Sequence, residues 1–257
     1  MSSTAAGRPA SHLRYVLRLA DTSLILGQRL AEWVGHSPAL EEDLGLANIS
    51  LDLIGQARLL LSYAGQLEGQ GRDEDALAFL RDAPAFANVT LAEQPNGDFG
   101  RTIVRQVLLD AWQSQLYEGL TGSTDRQLAG IAAKALKETA YHLRFSSGWL
   151  VRLGDGTEES HRRVQESLDQ LWPYTTELFT ADAIDEELAS AGIAPDLQGL
   201  QRSWDEYLNE LLRSATLRRP EAVPYQWYGK QGVHSEHLSH LLTEMQHMQR
   251  TYPGVQW

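Results

Sequence analysis

Apolar side chains return every three to four positions along most of this chain and nowhere alternate over a useful length, which predicts helix nearly throughout. Prolines at 9, 38, 84, 95, 173, 195, 220, 224 and 253 leave stretches 39–83 and 96–172 free to hold long helices. Inside a helix, proline removes a hydrogen bond and clashes with the preceding turn. The first helix is predicted over about 11–34, closed by Gly35. A second opens at Ser37-Pro38, an N-cap followed by a proline at the first helical position, and runs to Leu67 with Glu41, Glu42 and Asp43 at the positive end of its dipole. Residues 68–96 read as a loop-rich connection with one or two short helices. Pro95-Asn96-Gly97-Asp98 then turns the chain into a third helix ending near Leu120, and 121–125 caps a fourth that closes at Gly154. Further helices are predicted near 159–180, 196–217 and 234–251, with a loop over 218–232 that carries Tyr225, Trp227 and Tyr228.

The fold class is therefore all-α: a four-helix core over 11–155 with additional helices over 156–257, one domain in all, behind a disordered leader of residues 1–10. The second helix is apolar on nearly every side and is expected inside the bundle, with Asn48, Asp52 and Gln56 as its interior polar strip. Asp110 falls on an apolar stripe of the third helix and His142 on one of the fourth, while Asp21, Gln28 and Glu32 share one side of the first.

Composition narrows the chemistry. With 34 acidic and 22 basic side chains the net charge is −12, which argues against a nucleic-acid binder. The absence of cysteine excludes a disulfide framework, a thiolate metal site and a cysteine nucleophile. No apolar run reads as a membrane span and no signal peptide is recognisable, so a cytoplasmic protein is expected.

One titratable group per helix pointing at a common centre suggests an enclosed metal, since buried carboxylates need partners. The carboxylate di-iron bundle takes one Glu from each of two helices and Glu-x-x-His from each of the other two. Here the corresponding positions are Glu32, then Asp52 with Gly55 three residues on, then Asp110, then Thr139 with His142 three residues on. Both paired motifs are broken. A satisfied polar network is the favoured reading, with His142 and a cation such as Arg58 pairing the acids. An active di-iron oxygenase using Glu32, Asp52, Asp110, Glu138 and His142 is the alternative. In the last helix His240, Glu244 and His247 share a face at metal-ligand spacing, although a surface or interface helix is the more common meaning of such a pattern. The arginines Arg213, Arg218 and Arg219 can meet a phosphate tail or form salt bridges, and the tryptophans and tyrosines between 204 and 228 can line a pocket or pack a core.

The segments Ala47-Asn48-Ile49-Ser50-Leu51-Asp52-Leu53-Ile54-Gly55-Gln56-Ala57-Arg58, Glu93-Gln94-Pro95-Asn96-Gly97, Lys137-Glu138-Thr139-Ala140-Tyr141-His142-Leu143-Arg144-Phe145-Ser146, and Glu236-His237-Leu238 to Glu244-Met245-Gln246 are similar, as a set, to the structural subunits of bacterial phenylacetyl-coenzyme A 1,2-epoxidases. The resemblance runs over 14–257. It implies a ferritin-like subunit that binds no metal itself and has no catalytic residues, paired with a homologous di-iron catalytic subunit, with homodimerisation when alone. It further implies a small bridging subunit and a reductase carrying FAD and an iron–sulfur cluster, and a complex that uses NADPH and dioxygen to epoxidise the aromatic ring. The intact Glu-x-x-His motifs of the catalytic sister stand where this chain has Asp52/Gly55 and Thr139/His142.

Overall fold

A computed structural model describes residues 7–221 and 226–255, so Tyr225 and Trp257 lie outside the described residues. The helices are α1 (Gly7–Ala31), α2 (Leu40–Glu68), α3 (Glu74–Phe79), α4 (Phe99–Leu120), α5 (Arg126–Gly154), α6 (Glu158–Leu171), α7 (Thr176–Phe179), α8 (Ala183–Ser190), α9 (Leu197–Ser214), α10 (Glu236–Met245) and α11 (His247–Thr251). Among the described residues there is no strand, and one isolated bridge joins Tyr228 to Val233. The protein is all-α, with its four long helices where the pattern predicts them. It divides into two compact units, Met1–Pro95 with Tyr228–Trp257, and Asn96–Trp227, so its C-terminal helices split between the units instead of forming a block after residue 155.

The first unit is built on the α1–α2 hairpin. α1 is buried on all sides over 15–27. The two helices approach closely at Gly27, where a Cβ would lie 3.2 Å from Ile54 Cγ1 and 3.3 Å from Leu53 Cβ, and Ser50 Oγ donates to Gly27 O at 2.8 Å. The C-terminal segment returns here because residues of the first hundred hold it. Arg29 Nη2 donates both to Glu93 O at 2.8 Å and to His237 O at 3.1 Å, and Gln246 Nε2 donates to Ala78 O and Arg81 O at 3.1 and 3.0 Å.

The second unit is built around α4, in which every residue over 102–113 is buried. Asp98 caps it by accepting from Arg101 N at 2.8 Å, and Asp125 caps α5 by accepting from Gln127 N and Leu128 N at 2.9 and 3.1 Å. Trp204 on α9 donates its indole N–H to Leu108 O at 3.1 Å and packs against the buried Trp172 and the half-buried Phe179, so the two tryptophans are core.

Several boundaries differ from expectation. α1 starts at Gly7, inside the expected leader, and ends at Ala31. α2 starts at Leu40 behind an extended Ala39 that makes no side-chain cap, because the connection is closed from within: Gly35, at φ +81°, donates its N–H to Asp43 Oδ1 at 2.9 Å. The helix expected over 159–180 breaks at Trp172-Pro173 into α6, a 3₁₀ turn and α7, as a proline in mid-helix requires. α8 has no counterpart among the expected helices. It is started by a reciprocal cap between Asp182 and Asp185.

Candidate functional site

In the α1–α2 unit the expected site positions do not converge on a buried centre. Glu32 lies one residue beyond the end of α1, is exposed, and accepts from Arg29 Nη1 at 2.8 Å. Asp52 is half-buried, and at Gly55, one turn further, no heavy atom comes within 4 Å of where a Cβ would sit. Of the expected interior strip only Gln56 is buried; Asn48 is exposed. A helix apolar all round gives periodicity nothing to choose by, and the face that packs runs through Leu46, Ile49, Leu53, Ala57, Leu60 and Ala64. Arg58 reaches Glu74 at 3.4 Å in solvent and does not turn toward the acids. The buried carboxylate of α1 is Asp21, held by the Arg81 guanidinium and by Ala87 N at 2.9 Å, with Arg81 also stacked over the Phe86 ring.

The α4–α5 unit encloses the positions expected of it. Asp110, Thr139 and His142 are all fully buried. Asp110 accepts from Gln106 Nε2 and from Ser146 Oγ, both at 2.7 Å. Burial pushes its carboxyl up to about 6, against the opposing pull of the His142 charge and of the bonds from Ser146 and Gln106. Thr139 presents a neutral hydroxyl whose oxygen is buried without a hydrogen-bond partner. Glu138 turns outward to Lys134 at 3.6 Å, which removes it from the face of His142.

These residues do not fit a di-iron centre. A hydroxyl at 139 and no side chain at 55 leave out one carboxylate and one imidazole of that ligand set, and Glu32 is exposed and paired with Arg29. His240, Glu244 and His247 are exposed, and α10 ends at Met245 before His247 can extend its face. Among the described residues no three His, Cys, Asp or Glu side chains are grouped closely enough to hold a metal ion. Arg213, Arg218 and Arg219 are each ion-paired, with Glu210, Asp169 and Asp205.

A second buried network, centred on Glu93, escapes the sequence pattern. Its carboxylate accepts from Ser235 N at 2.6 Å and from Asn88 Nδ2 at 2.9 Å, and His234 Nδ1 lies 2.8 Å from the same oxygen as Asn88. His234 Nε2 faces Phe86 O at 3.1 Å. The His234 ring thus bridges Phe86 O and the Glu93 carboxyl group, one nitrogen to each. The one signal for it in the sequence is the Glu93-Gln94-Pro95-Asn96-Gly97 turn.

Fold and buried residues together define an all-α protein of helical hairpins, with Asp110, Thr139 and His142 buried in one unit and Asp21 and Glu93 in the other. The chain matches the phenylacetic acid catabolic protein family over residues 2–257 and belongs to that family, whose fold is ferritin-like. It is 53% identical over 243 residues to a subunit of the 1,2-phenylacetyl-CoA epoxidase of Escherichia coli (strain K12), an alignment that covers 95% of this chain and 98% of that protein.

Proposed function

We propose that this chain is the structural, non-catalytic subunit of a phenylacetyl-CoA 1,2-epoxidase. In this reading it holds no metal and stabilises a homologous di-iron subunit that carries the chemistry. The observation that supports it most is the end-to-end similarity to an epoxidase subunit, joined to a neutral Thr139 and a bare Gly55 at the positions where paired ligands would stand. What the residues themselves do is scaffold work. Ser146 on α5 donates to Asp110 on α4, which Gln106 of the same helix also holds, and Ser50 and Gly27 lock α1 to α2. Di-iron, FAD, iron–sulfur cluster and NADPH belong to the partner subunits in this proposal, as does any small bridging subunit.

Two measurements test it. Elemental mass spectrometry of the chain expressed alone in iron-supplemented medium is expected to find iron near zero, and about two irons per chain, the content of a two-metal site, would make it an oxygenase in its own right. Co-expressed with the homologous catalytic subunit, it is expected to elute with that subunit by size exclusion. Persistent separate elution would remove the structural role.

A further inference from the structure

All the lysines and arginines of α5 stand on one face of that helix. Arg126, Lys134, Lys137, Arg144 and Arg152 are exposed and, at about 100° per residue, fall within about 80° of one another around its axis. The row runs about 39 Å, from the first residue of the helix to its last turn. The one acid within α5, Glu138, lies to the side and pairs with Lys134 at 3.6 Å. Among the described residues no carboxylate, whether of α5 or of the helices α4, α6 and α9 packed against it, pairs with Arg126, Lys137, Arg144 or Arg152. Arg144 and Arg152 lie instead over the rings of Tyr141 and Trp149, at 5.6 and 5.1 Å. In the free chain this row is unfavourable. Lys134 and Lys137 repel each other one turn apart, and Arg126 stands at the positive end of the helix dipole, where α2 carries Glu41, Glu42 and Asp43.

We infer that this face docks an acidic helix of a partner protein. The steps along the axis from 126 to 134, 137 to 144 and 144 to 152 are about 12, 10.5 and 12 Å, close to the two turns, about 10.8 Å, at which acidic residues can repeat along one side of a helix. Gly130 and Gly148 are exposed in the same row, with no heavy atom within 4 Å of where a Cβ would sit, so the partner's side chains can settle between the cations. Near the middle of the row Tyr141 is 37% exposed and offers an aromatic anchor beside Arg144. A single phosphate group would engage only a small part of so long a row. A nucleic-acid backbone would meet the rest of a chain whose net charge is −12 and which is still more acidic once these five cations are set apart. This inference does not depend on the proposed structural role, and its test contains no catalytic subunit.

The test is fluorescence anisotropy on the full chain alone, with a labelled alanine–glutamine helix of about 28 residues bearing glutamate two turns apart along one side. The dissociation constant is expected in the tens of micromolar at about 50 mM salt and rises about tenfold by about 200 mM, as a contact between exposed charges requires. Lys137→Glu combined with Arg144→Glu raises it by about tenfold or more. Tyr141→Ala raises it by about fivefold. All three positions are exposed, and a thermal melt of each variant checks that the fold is intact. Absence of binding up to about 1 mM peptide overturns the inference, as does equal affinity for a peptide with the same glutamates scattered around the helix, or a folded double variant that binds like the wild type. Tighter binding of a short RNA duplex than of the acidic helix overturns it in favour of nucleic acid.

Discussion

Asp110 is a carboxyl buried within α4 whose neighbours only partly offset the loss of water. Its native value of about 6 lies roughly two units above its ordinary one. The neutral form is therefore favoured by folding, and the contribution to stability is complete below about pH 4 and is lost as the pH rises through 6. At about 1.4 kcal/mol per unit this is on the order of 3 kcal/mol. Asp110→Asn removes the titration while keeping the polar contacts, because an amide can donate to Ser146 Oγ, which can in turn donate to Leu143 O at 3.4 Å. Urea midpoints at pH 5 and pH 7.5 are expected to converge in the variant, and an unchanged pH dependence would count against this assignment. His234→Ala leaves the buried Glu93 side chain and Phe86 O each short of a hydrogen-bond partner, at a cost of about 1 to 3 kcal/mol read from the same denaturation midpoint. Asp110 and His142 were legible in the sequence because each interrupts an apolar stripe on a long helix. The Glu93–His234 pair was not, because its partners stand 141 residues apart and no local periodicity links them.

Among the elements, α2 and α4 exchange the places their compositions suggest. The more apolar helix leaves a leucine face in water, while the helix carrying Thr102, Arg105, Gln106, Asp110 and Gln113 is buried on every side over 102–113. Periodicity reports that a helix has an apolar side and is silent when every side qualifies. The ends of helices were legible where a side chain caps them, as at Asp98 and Asp125, and illegible at Ala39, where the backbone turn makes its own closure. Gly154, the last residue of α5, meets the end of α9 so closely that a Cβ would intrude on Ala215 O, a backbone atom that cannot swing aside. Its own carbonyl accepts from Thr216 Oγ1 at 3.0 Å and lies 2.7 Å from His161 Nδ1. Gly154→Ala is expected to cost about 1 to 3 kcal/mol by overpacking this junction. A thermal melt checks it, with Gly130→Ala, where the added methyl meets nothing within 4 Å, as a control expected to be neutral or stabilising.

For the molecule as a whole, a scaffold that binds a partner in its folded form alone is stabilised by that binding. Under the proposed role, a saturating amount of the homologous catalytic subunit raises the melting temperature of this chain, by about 2.7 kcal/mol of stability at one hundred times the dissociation constant. Calorimetry on the co-purified complex reads this directly, and melting at the temperature of the isolated chain would speak against the pairing. The sequence by itself determined the all-α class, the four long helices and the burial of Asp110 and His142, since each follows from local spacing and side-chain chemistry. Only the tertiary structure decided that the C-terminal helices α10 and α11 join the first hairpin, that Asp21 and Glu93 are the fully buried acids of that unit, and that α2 keeps an apolar face uncovered. Those outcomes depend on which surfaces meet across long chain separations, and one-dimensional periodicity carries no term for that.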